Sequence, residues 1–206
     1  MKTRLSAWNL GATLYMPATR HDIASTIIDG KIKGLRSLVI CLEDSVNESD
    51  IKHALVNLKN LCIQLARAKT TQEHHYWPLV FIRPRHLTMA KLLIKNFDLT
   101  AIDGLVIPKF THHSLAGWWR AIGSTPLSIM PTLETEEVFD CEKMRQLAGE
   151  LSAHPCRARI IALRIGGNDL MNVISLRRSR NLTLYDGPMG YVIKMLVSVF
   201  SPYHFA

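Results

Sequence analysis

The sequence contains few cysteines, and their number and spacing argue against a structural zinc protein and against a small fold held together by disulfide bonds. The four cysteines among 206 residues are Cys41, Cys62, Cys141 and Cys156. They form neither a CxxC motif nor a Cys/His pattern of the kind that binds structural zinc. A chain of this length can also bury a sizeable core without disulfide bonds. We therefore expect reduced thiols and a cytoplasmic protein.

Long apolar segments and phosphate loops are also missing. No apolar run approaches the roughly 20 residues that a membrane-spanning helix needs, so we expect no membrane association. The basic start MKTRLSAWNLGATLYMP has no continuous apolar core followed by a cleavage site, which argues against a signal peptide. Neither GxGxxG nor GxxxxGK[ST] is present, which disfavours an open nucleotide-binding sheet. With 48% hydrophobic and 20% charged residues, the chain is not disordered.

Acidic residues are fewer than basic ones, 17 against 25, and the formal net charge is +8. This excess favours an anionic partner. The one local basic cluster is Arg177, Arg178 and Arg180. Basic and aromatic residues are not interleaved as they are in proteins that bind single-stranded nucleic acid. No helix-turn-helix or zinc-finger pattern occurs. We interpret the charge as a solvated basic surface and expect no nucleic-acid binding.

Short apolar runs alternate with segments of helical spacing. Most of the runs are apolar on both faces, which is typical of strands buried in a parallel sheet. The predicted strands are 13–17, 37–44, 78–84, 104–110, 127–134 and 159–167. The predicted helices are 20–34, 48–69, 87–97, 112–122 and 135–152. This alternation indicates an α/β fold with a parallel sheet, in a single domain that spans residues 1–206.

Polar side chains gather at the carboxyl ends of the predicted strands, which is where (β/α)8 barrels place their active sites. We therefore expect a fold of the TIM-barrel type. Only six strands can be identified, whereas a closed barrel of this type needs eight. The sequence thus predicts a C-terminally truncated barrel with exposed sheet edges, or a barrel that is completed by something else.

Two carboxylates follow successive predicted strands. Glu134 ends the run LSIMPTLE, and Asp169 lies in RIIALRIGGND. Neighbouring strand ends lie side by side in a barrel, and Mg²⁺ takes one or two carboxylates together with water and substrate oxygens. Taken alone, Glu134 could instead satisfy amides at a helix start, and Asp169 could be a turn or cap residue. We predict a Mg²⁺ site at Glu134 and Asp169.

Other residues near strand ends are candidates for substrate binding. The guanidinium of Arg83 suits a carboxylate or an enolate-like oxygen, but it could also form a structural salt bridge to Glu43 or Asp44. Gly166 and Gly167 would let a ligand approach the backbone closely, or they could form a tight turn.

Lysine, histidine and serine give weaker signals. A Schiff-base role for Lys109 would need an apolar pocket that lowers its pKa, and we do not expect one. The adjacent pairs His74–His75 and His112–His113 lack the HExxH and HxH metal patterns, so we predict surface or loop positions for them. No serine occurs in a GxSxG motif. Arg85 is expected to be more exposed than Arg83.

Taken together, six segments resemble the HpcH/HpaI aldolase and citrate lyase β-subunit family in order and spacing. They are LYMPATR (14–20), CLEDSV (41–46), VFIRPR (80–85), LVIPKF (105–110), PTLETEE (131–137) and RIGGNDL (164–170). The tail LTLYDGPMGYVI resembles a subgroup of citrate-lyase-like proteins, some of them found near tellurium-resistance genes. The resemblance implies a (β/α)8 barrel, a divalent ion that is usually Mg²⁺, and cleavage or formation of a C–C bond next to a carboxylate or thioester.

The resemblance also implies roles for individual residues. Glu134 and Asp169 match the metal-binding carboxylates that follow the family's fifth and sixth strands. Arg83 matches the substrate-binding arginine of the VRxN motif, and Arg85 stands in place of the usual asparagine.

The acidic and basic residues near the first two strands match less closely. Glu43 and Asp44 resemble the acidic pair of the family's LEDAV motif. Arg20 resembles the arginine of FVPGxRP, but Ala18 and Thr19 replace the usual glycine and its neighbour.

The resulting hypothesis is a Mg²⁺-dependent carbon–carbon lyase that acts on a small carboxylate or an acyl-CoA-like thioester and forms a homo-oligomer. Arg83 would be catalytic and would stabilise an enolate, while the general base stays unassigned. The predicted substrate-binding residues are Arg83, Glu134, Gly166, Gly167, Glu43 and Asp44. The alternative is a truncated, non-catalytic barrel that acts as a binding or interaction protein.

Overall fold

The computed structural model of the chain describes residues 5–72 and 76–206. The predicted surface positions of His74 and His75 therefore lie outside the described residues. Residues that lie close together in space divide the chain into two compact units. The first extends to Val106 and includes Ser124–Ser128, and the second comprises Ile107–Gly123 and Ile129–Ala206.

Parallel strands form the sheet of the first unit. They are β1 (Thr13–Pro17), β2 (Ser37–Cys41), β3 (Leu79–Arg83) and β4 (Gly104–Ile107). The last residue of β4, Ile107, belongs to the second unit. Every residue of β2 is buried, and β1 and β3 pair with its two edges. The register aligns Pro17 with Cys41 and Cys41 with Arg83. The last residues of the first three strands therefore lie in one row, and Arg83 belongs to that row.

The helices of the first unit largely follow the predicted pattern. They are α1 (Ile23–Ile28), α2 (Ile51–Thr71) and α3 (Leu87–Asn96). Ala54, Leu58 and Leu65 recur along α2 at helical spacing and are buried. The helix predicted over 20–34 is wrong in length, because Gly30 and Gly34 adopt left-handed φ values of +61° and +75°. Such residues end a helix rather than continue it.

The second unit alternates helices and strands in the same way. Its elements are α4 (His112–Ile122), β5 (Ser128–Leu133), α5 (Cys141–Ala153), β6 (Arg164–Ile165), α6 (Gly167–Val173) and α7 (Pro188–Phe200). The first residue of β5 belongs to the first unit. β5 and β6 are parallel, and their register pairs Thr132 with Arg164 and Leu133 with Ile165.

Three predicted strands are shorter in the structure by three residues or more. The runs 37–44 and 104–110 end at Cys41 and Ile107, so the polar residues that follow them lie in loops. The run 159–167 is reduced to the two residues of β6. Its first residue lies in a 3-10 turn over Pro155–Arg159, and Ile160 makes only an isolated parallel bridge to Ile129. The amide of Leu163 donates to the carbonyl oxygen of Ala206 at 2.7 Å.

The helix predicted over 135–152 is split. A 3-10 turn at Glu136–Phe139 precedes α5, and Asp140 between them has an extended backbone. The carboxylate of Asp140 accepts hydrogen bonds from the amides of Glu142 at 3.0 Å and Lys143 at 3.2 Å. Asp140, seven residues after the end of β5, is therefore the N-cap of α5.

The described residues contain six strands, and every pairing given above is parallel and joins strands that are neighbours in the chain. Helices separate these strands throughout, which confirms the α/β prediction and the predicted number of strands. Within the same part of the chain, no helix combines the length and the apolar character that crossing a membrane requires.

Replacing Asp140 with alanine should lower the free energy of unfolding by about 1 kcal/mol, because two amides of the first turn of α5 lose their acceptor. Asp140→Asn keeps an oxygen acceptor and should stay within a few tenths of a kcal/mol of the original protein. Urea denaturation measures both variants. Equal stability of Asp140→Ala and Asp140→Asn would contradict the capping role.

Candidate metal and substrate-binding site

Glu134 directly follows β5 and is a buried residue, only 3% exposed. One oxygen, Oε1, accepts a hydrogen bond of 2.7 Å from the backbone amide of Lys109 in the loop after β4. A buried carboxylate is costly unless it is hydrogen-bonded or paired with a cation. The loop after β4 therefore holds one oxygen of Glu134 in a fixed position.

Lys109 donates this hydrogen bond from a strained backbone. Its φ is +47°, in the left-handed region that non-glycine residues rarely adopt. Such conformations persist where the surroundings hold them, and they are common at functional sites. The side chain of Lys109 is exposed, so the apolar pocket that a Schiff-base lysine needs is missing there. Lys109 contributes its backbone amide to the position of Glu134.

Gly166, directly after β6, packs against the other side of Glu134. Its amide donates to the carbonyl oxygen of Leu133 at 3.0 Å. A Cβ at position 166 would lie 2.3 Å from Oε2 and 2.4 Å from Cβ of Glu134. The close approach that the glycine was predicted to permit is thus made by the Glu134 side chain. A Cβ at Gly167 would meet only Cδ1 of Leu184, at 3.2 Å.

Asp169 lies in the first turn of α6, three residues after Gly166, and is half-buried. Because Glu134 contacts Gly166, the structure brings Glu134 to the residue that immediately precedes the helix carrying Asp169. The two predicted metal ligands therefore come from neighbouring segments of the second unit.

The donors in this region fit a hard cation better than a structural zinc ion. Among residues 5–72 and 76–206, no group of three or more His, Cys, Asp or Glu side chains is arranged to hold a metal ion. Structural zinc needs four such ligands. Mg²⁺ needs only one or two carboxylates and keeps several waters. Glu134 and Asp169 are compatible with that smaller requirement.

Arg83, at the end of β3, forms a nearly buried ion pair in the first unit. Its Nη2 contacts Oε2 of Glu43 and lies 3.6 Å from Oδ2 of Asp44. The side chains of Arg83 and Glu43 are 11% and 5% exposed, whereas that of Asp44 is 57% exposed. Of the two interpretations of Arg83, the salt bridge to the acidic pair is therefore present in the structure.

Arg85 stabilises the loop that carries this acidic pair, a role that sequence reasoning missed. Its Nη2 donates to the carbonyl of Val46 at 2.5 Å, its Nε donates to that of Leu42 at 3.4 Å, and Nη1 lies 3.0 Å from Glu48. Its side chain is 26% exposed against 11% for Arg83, which confirms the predicted order of exposure. The sequence did offer one indication of this role, since position 85 carries a charged side chain where the family usually has asparagine.

Arg20 pairs locally on the surface. Its Nε and Nη2 donate to the two carboxylate oxygens of Asp22 at 2.8 and 2.6 Å. These hydrogen bonds hold the pKa of Asp22 at about 2, below its usual value, and raise the pKa of Arg20. The carbonyls of Ala18 and Arg20 accept from the side-chain amide of Asn57 at 2.6 and 2.8 Å. The segment after β1 is therefore fixed by contacts within the first unit.

His112 was predicted at a surface or loop position, but it is the first residue of α4 and is half-buried. Its Nδ1 contacts Oε2 of Glu150 in α5. Gln146 donates to the other oxygen of Glu150 at 3.2 Å. The contact of His112 with Glu150 joins α4 to α5 within the second unit.

Substituting alanine for Gly166 should destabilise the protein by about 1–3 kcal/mol, because the new methyl group would overlap the Glu134 side chain. Gly167→Ala is the matched control. Its methyl group would meet the flexible end of Leu184, and alanine favours the first turn of α6, so its stability should change by less than about 1 kcal/mol. Urea denaturation compares the two, and equal effects would contradict the packing of Glu134 on Gly166.

Arg83→Met should lower the free energy of unfolding by about 3–5 kcal/mol, because it leaves Glu43 buried without its cation. The double variant Arg83→Met, Glu43→Met removes both charges and should recover most of this loss. Urea denaturation of the two single variants and the double variant measures the coupling between the residues. Additive losses would contradict a buried ion pair.

Two solved structures have a similar fold. RipC from Yersinia pestis has a similar structure, with a TM-score of 0.61 and 18% identity over 94% of this chain and 72% of that one. The citrate lyase β subunit from M. tuberculosis, solved with oxaloacetate and magnesium, gives a TM-score of 0.57 and 18% identity over 94% and 74% of the two chains. At these identities the likeness shows a common fold. A comparison with curated proteins found no match.

The sequence itself matches the family model described as C-C bond lyase of the TIM-barrel fold over residues 4–206. This match and the two solved structures confirm the predicted barrel type and the resemblance to citrate-lyase-like proteins. Six of the eight strands of such a barrel are present among the described residues. The chain therefore belongs to the C-C bond lyase family of the TIM-barrel fold.

Proposed function

We propose that this chain is a Mg²⁺-dependent carbon–carbon lyase that acts on a small carboxylate or an acyl thioester. Membership of the lyase family supports the type of reaction. The metal and the substrate are proposed from the environment of Glu134. Its buried carboxylate accepts a hydrogen bond from the Lys109 amide and packs on Gly166. Gly166 lies three residues before Asp169 in the sequence.

In this proposal Glu134 and Asp169 hold Mg²⁺, and water and substrate complete its coordination. The citrate lyase β subunit from M. tuberculosis was solved with magnesium and oxaloacetate, which supports both the metal and a carboxylate substrate. Polarisation of a substrate oxygen by a Lewis acid is the chemistry that a bound Mg²⁺ would supply here. The Lys109 amide would keep Glu134 oriented, so that the carboxylate does not have to reorganise when substrate binds.

Arg83 is the proposed catalytic and substrate-binding residue of the first unit. Cleavage next to a carboxylate or thioester leaves negative charge on an enolate oxygen, and a guanidinium can stabilise that charge with several N–H donors. Glu43 and Asp44 would keep the guanidinium of Arg83 oriented through their contacts with Nη2. The backbone at Gly166 and Gly167 is a further proposed contact for the substrate carboxylate.

The cysteines support the proposed location in the cytoplasm. All four thiols are free, and Cys41, Cys62 and Cys156 are buried. Burial raises the pKa of Cys62 to about 12 and that of Cys156 to about 11. A raised pKa makes these thiols unreactive. Free cysteines are typical of proteins that work in reducing surroundings. The homo-oligomer stays a prediction that follows from the family resemblance.

Glu134→Gln and Asp169→Asn should each abolish Mg²⁺-dependent cleavage of a 3-hydroxyacyl thioester or a 4-hydroxy-2-oxo acid, because each removes a negatively charged ligand. Titration calorimetry should show Mg²⁺ affinity reduced by more than about 10-fold in both variants. Glu142→Gln, on the exposed face of α5, loses the same charge and should keep full affinity and turnover. Unchanged Mg²⁺ binding in the Glu134 or Asp169 variant would remove that residue from the proposed metal site.

A further inference from the structure

The neighbouring strands β5 and β6 have an apolar face and a polar face. Leu133 and Ile165 are partners in the register, and with Leu196 and Phe200 of α7 they line an apolar cavity of about 170 Å³. Side chains alternate along a strand. Thr132 and Arg164, which are also partners in the register, therefore project from the opposite face.

This opposite face is the one that carries Glu134. Thr132 precedes Glu134 by two residues, and Arg164 precedes Gly166 by two residues, so each pair shares a side of its strand. The packing of Glu134 on Gly166 shows that these positions face each other across the two segments. Thr132 and Arg164 therefore form the next layer of side chains, about 7 Å along the strands from Glu134.

The hydroxyl of Thr132 is unusual within this layer. Thr132 is 4% exposed, and its Oγ1 has no hydrogen-bond partner among the described residues. Buried hydroxyl groups nearly always have a partner, because an unsatisfied one destabilises the folded state. Valine would fill the same volume without that cost. The position therefore holds a polar atom that the protein itself leaves unused.

Arg164 contributes a positive charge to the same face of the two strands. It is half-buried, and its backbone is paired with Thr132 in the register. A guanidinium binds a carboxylate through two parallel N–H donors, and a threonine hydroxyl can donate a third hydrogen bond. The chemistry of this pair fits an anion, and a carboxylate matches it in shape as well as in charge.

We propose that Arg164 and Thr132 form an anion subsite beside Glu134 that binds a second carboxylate of the substrate. This inference rests on the proposed function, since the other end of the substrate would be held at the Mg²⁺ site of Glu134 and Asp169. The spacing of about 7 Å between the two layers suits a short dicarboxylate of four or five carbons. The subsite selects dicarboxylates over monocarboxylates that have the same 2-oxo acid end.

Oxaloacetate and pyruvate test the subsite, because both are 2-oxo acids and only oxaloacetate has a second carboxylate. Titration calorimetry with Mg²⁺ present should show oxaloacetate binding at least about 10-fold more tightly than pyruvate. Arg164→Gln should remove this preference and leave the affinity for pyruvate unchanged. Arg164→Lys, which keeps the charge but loses the planar fork, should retain part of the preference. Arg145→Gln, on an exposed side chain of α5, is the charge-matched control and should bind both ligands as the original protein does.

Thr132→Val provides a second and independent readout. It should weaken oxaloacetate binding by roughly 3- to 10-fold. In the ligand-free protein it should raise Tm by roughly 2–4 °C, because the buried unsatisfied hydroxyl is removed. A hydroxyl with a purely structural role would give a lower Tm in this variant.

The outcomes separate this inference from the proposed function. If the original protein binds both ligands in a Mg²⁺-dependent way but Arg164→Gln keeps the preference for oxaloacetate, the subsite is wrong and the metal site stands. A Thr132→Val variant with lower Tm and unchanged oxaloacetate affinity also overturns the subsite. If the original protein binds neither ligand with Mg²⁺ present, the proposed function and the subsite both fail.

Discussion

The buried carboxylate of Glu134 is the constraint on which the candidate site depends. A carboxylate that is 3% exposed must be compensated by donors or cations, or the folded state would be destabilised. The chain supplies an amide from Lys109 on one side and a residue without a side chain, Gly166, on the other. Both features have a cost, since Lys109 adopts a left-handed backbone and glycine increases the entropy of the unfolded chain. Such costs are common where a group is held ready for binding.

The fold explains how distant segments reach this carboxylate. The parallel register of β5 and β6 sets Leu133 beside Ile165, so the residue after each strand, Glu134 and Gly166, is brought into contact. The chain turns into α6 directly after Gly166 and carries Asp169 in the first turn of that helix. In the first unit, Arg83 and Arg85 hold the acidic loop after β2 through ion pairs and hydrogen bonds to its carbonyls. Each unit thus fixes its own set of charged groups.

The six strands could be predicted because buried parallel strands consist of short apolar runs, and the 3.6-residue period of α2 is equally plain in the sequence. Charged residues after those runs marked Glu134, Asp169 and Arg83 as candidates, and the family resemblance implied metal-binding and substrate-binding roles for the same residues. The ends of elements were less predictable. The helical periodicity of 135–152 continues across Asp140, whose capping hydrogen bonds divide that segment, and Gly30 ends α1 through its left-handed backbone. The contact between Glu134 and Gly166, the strained backbone of Lys109 and the loop contacts of Arg85 depend on tertiary geometry that no local pattern encodes.

The measurement that most directly tests this account is an anomalous difference map from crystals soaked with Mn²⁺, which has the same preference for oxygen ligands as Mg²⁺. The account predicts a single strong peak within about 2.3 Å of a carboxylate oxygen of Glu134 and of Asp169. A peak bound elsewhere, with Glu134 making no contact to the ion, would contradict the claim that its buried carboxylate is a metal ligand.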